Sequence, residues 1–206
     1  MKIKKNKYLD GGFVFGPIGT MKLNLGCGYN KLDGFTNVDS QESCEPDMLI
    51  DLEDLPWPFE SDSTDEIVLC HVLEHLGGTS DVYLKIIQEL YRVSQHLAQI
   101  SITVPHPRHD DFMIDPTHVR PILPDQFYMF SKNQNRKWKK EGCANTALAD
   151  YLNVDFEVTD TQWILDTDWK RQLKAGEISS DELVRLATHQ NNIVKEIQVT
   201  LRVIKT

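Results

Sequence analysis

The chain has 206 residues, 40% of them apolar and 26% charged, which suits one globular domain large enough to bury a core. Its 22 Lys and Arg against 31 Asp and Glu give a formal charge of −9. That balance argues against bulk binding of nucleic acid or an anionic membrane, since both are held by clustered cations. The basic runs at Lys2, Lys4, Lys5, Lys7 and at Arg136, Lys137, Lys139, Lys140 read as solvated surface. Cys27, Cys44, Cys70 and Cys143 form no CxxC spacing and read as reduced, mostly buried thiols of a cytoplasmic protein. No run of about 18 apolar residues exists to span a membrane. The N-terminal lysines are not followed by the apolar stretch of a secretory leader.

Residues 1–20 read as an extension, with a short strand at 13–15, ahead of a domain over 21–206. Short apolar runs follow at 22–25, 36–38, 48–50, 66–70 and 99–104, each closed by a turn residue. Such runs fit strands buried in a parallel sheet. Tyr83, Ile86, Ile87, Leu90 and Val93 recur at helical spacing, so a helix is expected over 81–93 with Ser80 as its N-cap. A second helix is expected from Pro124 through Phe127 and Phe130, because proline suits a first helical turn. Residues 154–159 and 196–203 alternate with period two, as strands of an antiparallel edge do. Between them lies a helical insertion at about 167–191, in which Ser179 and Glu182 form a capping box. The order predicts an α/β, Rossmann-like three-layer sandwich with a mostly parallel seven-stranded sheet and an antiparallel edge strand.

The informative stretch is 22–39, KLNLGCGYNKLDGFTNVD. One strand ends in Gly-x-Gly and the next ends in an acid. In an open parallel sheet, ligands bind beyond the carboxyl ends of the strands, where glycine lets backbone approach and an acid can accept from ribose hydroxyls. Only ten residues separate Gly28 from Asp39, which leaves a shortened first crossover. A dinucleotide site wants about twenty residues and a full helix there.

With LGCG and NVD come DLEDLPWPF at 51–59, DEIVLCHVLEHL at 65–76 and IIQELYRV at 86–93. In this order the motifs resemble the class I S-adenosylmethionine-dependent methyltransferases, over about 22–131. The resemblance implies S-adenosyl-L-methionine as cofactor. It implies that Leu25, Gly26, Cys27 and Gly28 line its methionine and ribose part, that Asp39 holds the ribose hydroxyls, that Asp51 and Leu52 flank the adenine, and that Cys70, His71 and Val72 stand near the sulfonium. Two features depart from the family: Asn24 replaces the acid that often precedes the glycines, and residues 94–98 replace the usual Pro-Gly-Gly turn.

The histidine-rich segment 104–120 lies past the fifth strand, on the substrate side of such a sheet. His106, Asp115, His118 and Arg120 are expected to shape the acceptor pocket, with His106 or His118 as general base. A metal bound by His106, His109, Asp111 and His118 is an alternative reading of the same loop. The sequence His71-Val72-Leu73-Glu74-His75 also fits the H-x-x-E-H pattern of a zinc hydrolase, if it is helical. The functional expectation is methyl transfer to a small-molecule or glycan-type acceptor, the alternative being a cofactor-binding protein without transferase activity.

Overall fold

The computed structural model describes residues 20–205; the strand expected at 13–15 lies outside them. Seven strands form one sheet in the order β3-β2-β1-β4-β5-β7-β6. They are β1 (Met21–Leu25), β2 (Thr36–Asp39), β3 (Met48–Leu49), β4 (Thr64–Cys70), β5 (Ser94–Pro105), β6 (Phe156–Leu165) and β7 (Val194–Val203). The pairs among β1 to β5 are parallel. The antiparallel strand is β7, which runs against both β5 and β6, so β6 closes the edge outside it.

The helices are α1 (Ser80–Val93), α2 (Asp110–Ile114), α3 (Pro124–Phe127), α4 (Lys132–Glu141), α5 (Leu148–Leu152), α6 (Thr167–Ala175) and α7 (Ser180–His189). The apolar stripe of α1, with Tyr83, Ile86, Ile87, Leu90 and Val93, is buried against the sheet. Its N-cap is Thr79, not Ser80: the Thr79 hydroxyl accepts from the Val82 amide. Ser180 lies just after the capping Ser179, whose hydroxyl accepts from the Glu182 amide as the spacing predicts.

Leu23, Leu25, Ile67, Leu69, Ile100, Ile102, Ile197, Val199 and Leu201 belong to one core with α1, Trp57, Phe127 and Leu152. Cross-strand partners on the opposite face are polar apart from Val68. Glu66, Gln99 and Arg202 form one row, and Val68, Ser101 and Thr200 the next; none of these six is buried.

The crossover from β1 to β2 contains no helix. Side-chain hydrogen bonds hold it instead. Asn24 Nδ2 donates to the Asn30 carbonyl and to Asn37 Oδ1, each at 2.9 Å. Asn37 Oδ1 also accepts from the Leu32 amide at 2.8 Å, and Asn37 Nδ2 donates to Asp47 at 2.9 Å. An acid at position 24 could make neither donation, which accounts physically for Asn24.

Residues 94–98 are part of β5. Thr64 faces Ser94 and Glu66 faces Gln99, so β5 spends five residues where β4 spends two. Leu97 takes a positive φ of 66° within this bulge. No described helix is long and apolar enough to cross a membrane. All four cysteines are free; Cys27 and Cys44 are buried, whereas Cys70 and Cys143 are exposed, contrary to the expectation of mostly buried thiols.

Candidate functional site

A cleft of about 210 Å³ opens at the carboxyl ends of β1, β2 and β4. It is lined by Gly26, Asp39, Asp51, Leu52, His71 and Val72, all expected from the sequence, and by Ser40, Ile50, His75 and Leu76, which were not. This is where ligands bind in open α/β sheets.

Gly26 has φ +66°, and a Cβ there would lie 2.4 Å from a methyl of Val72. Only glycine lets the two strand ends meet this closely. Gly28 turns the chain at φ +49° and aims its amide at Asp39 Oδ2, 2.8 Å away. The Gln41 amide donates to Asp39 Oδ1 at 2.8 Å. The Asp39 carboxylate is thus fixed by two backbone donors, and each oxygen keeps lone-pair capacity. The Ile50 amide bonds the Asp39 carbonyl, which brings the Asp51 turn alongside. Asp51 Oδ1 there accepts from the Glu53 amide.

Leu25, Cys27, Gly28 and Cys70 do not line the cleft. Leu25 is core and wholly buried. Cys27 is buried, with its amide on the Val38 carbonyl; burial, then the Asp39 charge, push its thiol up. Cys70 pairs with Thr103 on the polar face of the sheet. Its side chain points there because alternation along β4 gives the apolar face to Ile67 and Leu69.

His71 follows β4 at φ 56°. Its Nδ1 lies 3.5 Å from Glu74 Oε1 and its Nε2 3.5 Å from Glu196 Oε1. The Glu74 carboxylate raises its pKa, with burial opposing and Glu196 adding to the rise. The chain then forms a single 3₁₀ turn over Leu73–His75. The zinc-hydrolase reading of H-x-x-E-H fails on this geometry, because it needs His71 and His75 four apart on one α-helical face.

The expected acceptor set is split. His106 is buried and lines a second, mostly apolar cavity of about 580 Å³ with Leu123, Trp163, Leu165, Leu183 and Val184. Its Nδ1 accepts from the Arg108 amide at 3.1 Å. Burial, then the charges of Arg108 and His109, lower its pKa. The neutral ring therefore carries its proton on Nε2, where it can donate but not take a proton. His118 and Asp115 lie elsewhere, beside His75. The Arg120 guanidinium sits 4.2 Å over the Tyr83 ring and donates to the Gly77 carbonyl.

The four-ligand set of His106, His109, Asp111 and His118 is not assembled. His109 Nδ1 accepts from the Asp111 amide to cap α2, and its other nitrogen faces Asp166 at 3.5 Å. The potential metal-ligand group among the described residues is Glu74, His75 and His118. Glu74 and His75 fall within the HVLEHL motif and the zinc-hydrolase pattern, neither of which groups them with His118.

No protein-family model and no curated protein matches this sequence. Solved structures do match its fold. An S-adenosylmethionine-dependent methyltransferase from Archaeoglobus fulgidus aligns with a TM-score of 0.58 at 16% identity, over 90% of this chain and 87% of that one. The [4+2]-cyclase SpnF aligns at 0.52 and 14%, over 91% and 76%. Phosphoethanolamine N-methyltransferase 2 of Haemonchus contortus, in complex with S-adenosyl-L-methionine, aligns at 0.50 and 12%, over 93% of this chain and 50% of that one. The chain has the Rossmann-like α/β fold on which such methyltransferases are built, with a seven-stranded, mostly parallel sheet.

Proposed function

We propose that the cleft binds S-adenosyl-L-methionine and that the protein catalyses methyl transfer to a small-molecule acceptor. The observation that carries this reading is Asp39: a carboxylate at the tip of β2, oriented by the Gly28 and Gln41 amides and lining the cleft. Such a group suits the paired hydroxyls of a ribose, with charge-assisted bonds. The backbone of Asp51 and Leu52 is suited to the adenine side, and the turn at Gly26 leaves room for a ligand against main chain. At about 210 Å³ the cleft falls below the roughly 300 Å³ of a typical small-molecule pocket. It suits the nucleoside part, with the amino-acid part reaching over the strand tips toward His71.

When bound, the cofactor supplies an electrophilic methyl group. The work left to the chain is to align an acceptor and exclude water. The apolar cavity beside β6 and α7 is our candidate acceptor site, and its lining favours an apolar or aromatic body over a glycan. His106 would orient the acceptor through its Nε2–H. Four free thiols, two of them exposed, suit a reducing compartment such as the cytoplasm.

The second reading is cofactor binding without methyl transfer. It is favoured by the His106 tautomer, which leaves no free base in the apolar cavity, and a fold by itself does not fix a reaction; a [4+2]-cyclase has this one. Calorimetric titration with S-adenosylhomocysteine tests what the two readings share. Micromolar binding is expected, with Asp39→Ala weaker by about tenfold or more, or about 1.4 kcal/mol. A flat wild-type titration removes both readings; unchanged affinity in Asp39→Ala removes the ribose role.

A further inference from the structure

Glu74 is the most deeply buried ionisable side chain among the described residues. Its side chain is 1% accessible, and neither carboxylate oxygen has a hydrogen-bond partner. The His71 nitrogen facing Oε1 is 3.5 Å away, beyond the usual reach of about 2.7–3.2 Å. A buried carboxylate left this way is expensive unless it is paired or coordinates a metal.

Two histidines stand beside it with their outer nitrogens already committed. His118 Nδ1 lies 2.8 Å from the Phe112 carbonyl, so it carries the proton and donates. Asp115 Oδ1 accepts a hydrogen bond from the Thr117 hydroxyl at 2.6 Å, and the Thr117 oxygen in turn accepts from His75 Nδ1 at 2.9 Å. In the neutral imidazole this tautomer leaves the lone pair on Nε2 of each ring; His118 Nε2 also lies 4.0 Å from Asp115 Oδ2. Outer hydrogen bonds to a carbonyl or a carboxylate relay are how proteins orient ligating histidines. The rings meet edge to face at 4.6 Å, and one ligand atom from each of Glu74, His75 and His118 lies within 4.8 Å of the others.

We propose that Glu74, His75 and His118 form a binding site for a divalent first-row transition ion. Two imidazoles and one carboxylate select such an ion over magnesium or calcium, and three protein ligands leave a position open. Bonds of about 2.1 Å put tetrahedral ligand atoms about 3.4 Å apart, so each pair closes by at most about 1.4 Å as the ion enters. The ion ties the turn after β4 to the segment that follows α2. The Val119 and Arg120 amides already bond the Glu74 carbonyl at 2.9 and 3.2 Å. His75 also lines the cleft under β1 and β4, so the ion sits at its wall. The site stands on these residues alone and does not depend on methyl transfer.

The test uses the full chain with any affinity tag removed, stripped with chelator and dialysed. Cobalt(II) is titrated by its visible ligand-field absorption and zinc(II) by calorimetry, with no nucleoside present. One ion per chain is expected. Glu74→Gln and His118→Ala are each expected to weaken binding by about tenfold or more, since even outer-sphere changes cost about 10–100-fold. His96→Ala, at the opposite end of β5, binds as wild type. No saturable cobalt spectrum in the wild type overturns the site. So does wild-type affinity in Glu74→Gln, which keeps the side chain's shape and decides the question alone if His118→Ala fails to fold. Because metal alone is titrated, this result and the S-adenosylhomocysteine titration succeed or fail separately.

Discussion

The two flanks of the sheet are held by different physics. On the β5-β7-β6 side, Phe127, Phe130, Leu152 and Phe156 bury apolar surface against the strands, and helices connect the elements. On the β3-β2-β1 side the first crossover has no helix, and Asn24, Asn37 and Asp47 close it with hydrogen bonds. Apolar burial is non-directional and tolerates a change of shape if volume is kept. A buried polar network does not tolerate the loss of a partner even at constant volume: each group must find its partner. The flank that forms the candidate nucleoside cleft is the one fixed by direction, which suits a site that must aim Gly28 and Asp39 at one another.

The sharpest way to break this contrast is to change chemistry at constant size. Phe127→Ala is expected to cost about 3–5 kcal/mol and Phe127→Leu much less, as apolar truncations do. Asn37→Leu keeps the bulk but strands the Leu32 amide and takes from Asn24 Nδ2 one of its two acceptors. At about 1–3 kcal/mol for each lost partner, about 2–6 kcal/mol is expected. Denaturant unfolding measures all three. If Asn37→Leu stays within about 1 kcal/mol of wild type, as a volume-keeping apolar swap would, the crossover is not held by its polar network.

A smaller effect sharpens the same point at the cleft. Gly26→Ala asks alanine to adopt φ +66° and to place Cβ 2.4 Å from Val72. The left-handed backbone costs about 1–2 kcal/mol, and the clash adds about 1–3 kcal/mol. Adding Val72→Ala to Gly26→Ala should restore the clash part and leave the backbone part. A double-mutant cycle with no coupling between the two positions would show that backbone strain alone makes Gly26 necessary.

What could be read in the sequence divides along the same line. The apolar periodicities of α1, β4, β5 and β7 gave their places because burial repeats with the secondary structure. The Gly-x-Gly and Asp39 placed the cleft because those residue types answer local backbone needs. The candidate metal-ligand group was not legible. Glu74 and His75 lie on one turn, but His118 joins them only through the packing of Phe112, Thr117 and the segment after α2, and no spacing encodes that. The split of His106 from His118 was hidden for the same reason. They are twelve residues apart in one polar run, yet His106 follows the end of β5 into the apolar cavity, while α2 and the turn at Asp115–Thr117 carry His118 back toward β4. Thr79 displaced Ser80 as N-cap because both residue types can cap, and only the backbone at Thr79, at φ −113° and ψ 154°, decides between neighbours.

The smallest effect lies where the two kinds of support meet. Glu89, on α1, accepts from the Trp57 amide at 2.8 Å and from Arg92 Nε and an Arg92 terminal nitrogen at 2.7 Å each. Arg92 also donates to the Phe59 and Trp57 carbonyls, so one ion pair clamps the loop that delivers Trp57 and Phe59 to the core. Burial would raise the Glu89 pKa, but Arg92 and the Trp57 amide outweigh it and bring it below the ordinary glutamate value of 4.5. A lowered carboxyl adds stability that is fully present above the unfolded value and lost as pH falls through the folded one. Glu89→Gln is expected to cost about 1.5 kcal/mol at pH 6, the lower end for a charged hydrogen bond with a partly exposed partner. Below pH 4.5 the wild type should approach the variant as Glu89 takes up its proton, and thermal unfolding at a series of pH values follows the convergence. Parallel curves at every pH would mean that the clamp works by shape alone, and that its charge contributes nothing to holding Trp57 in place.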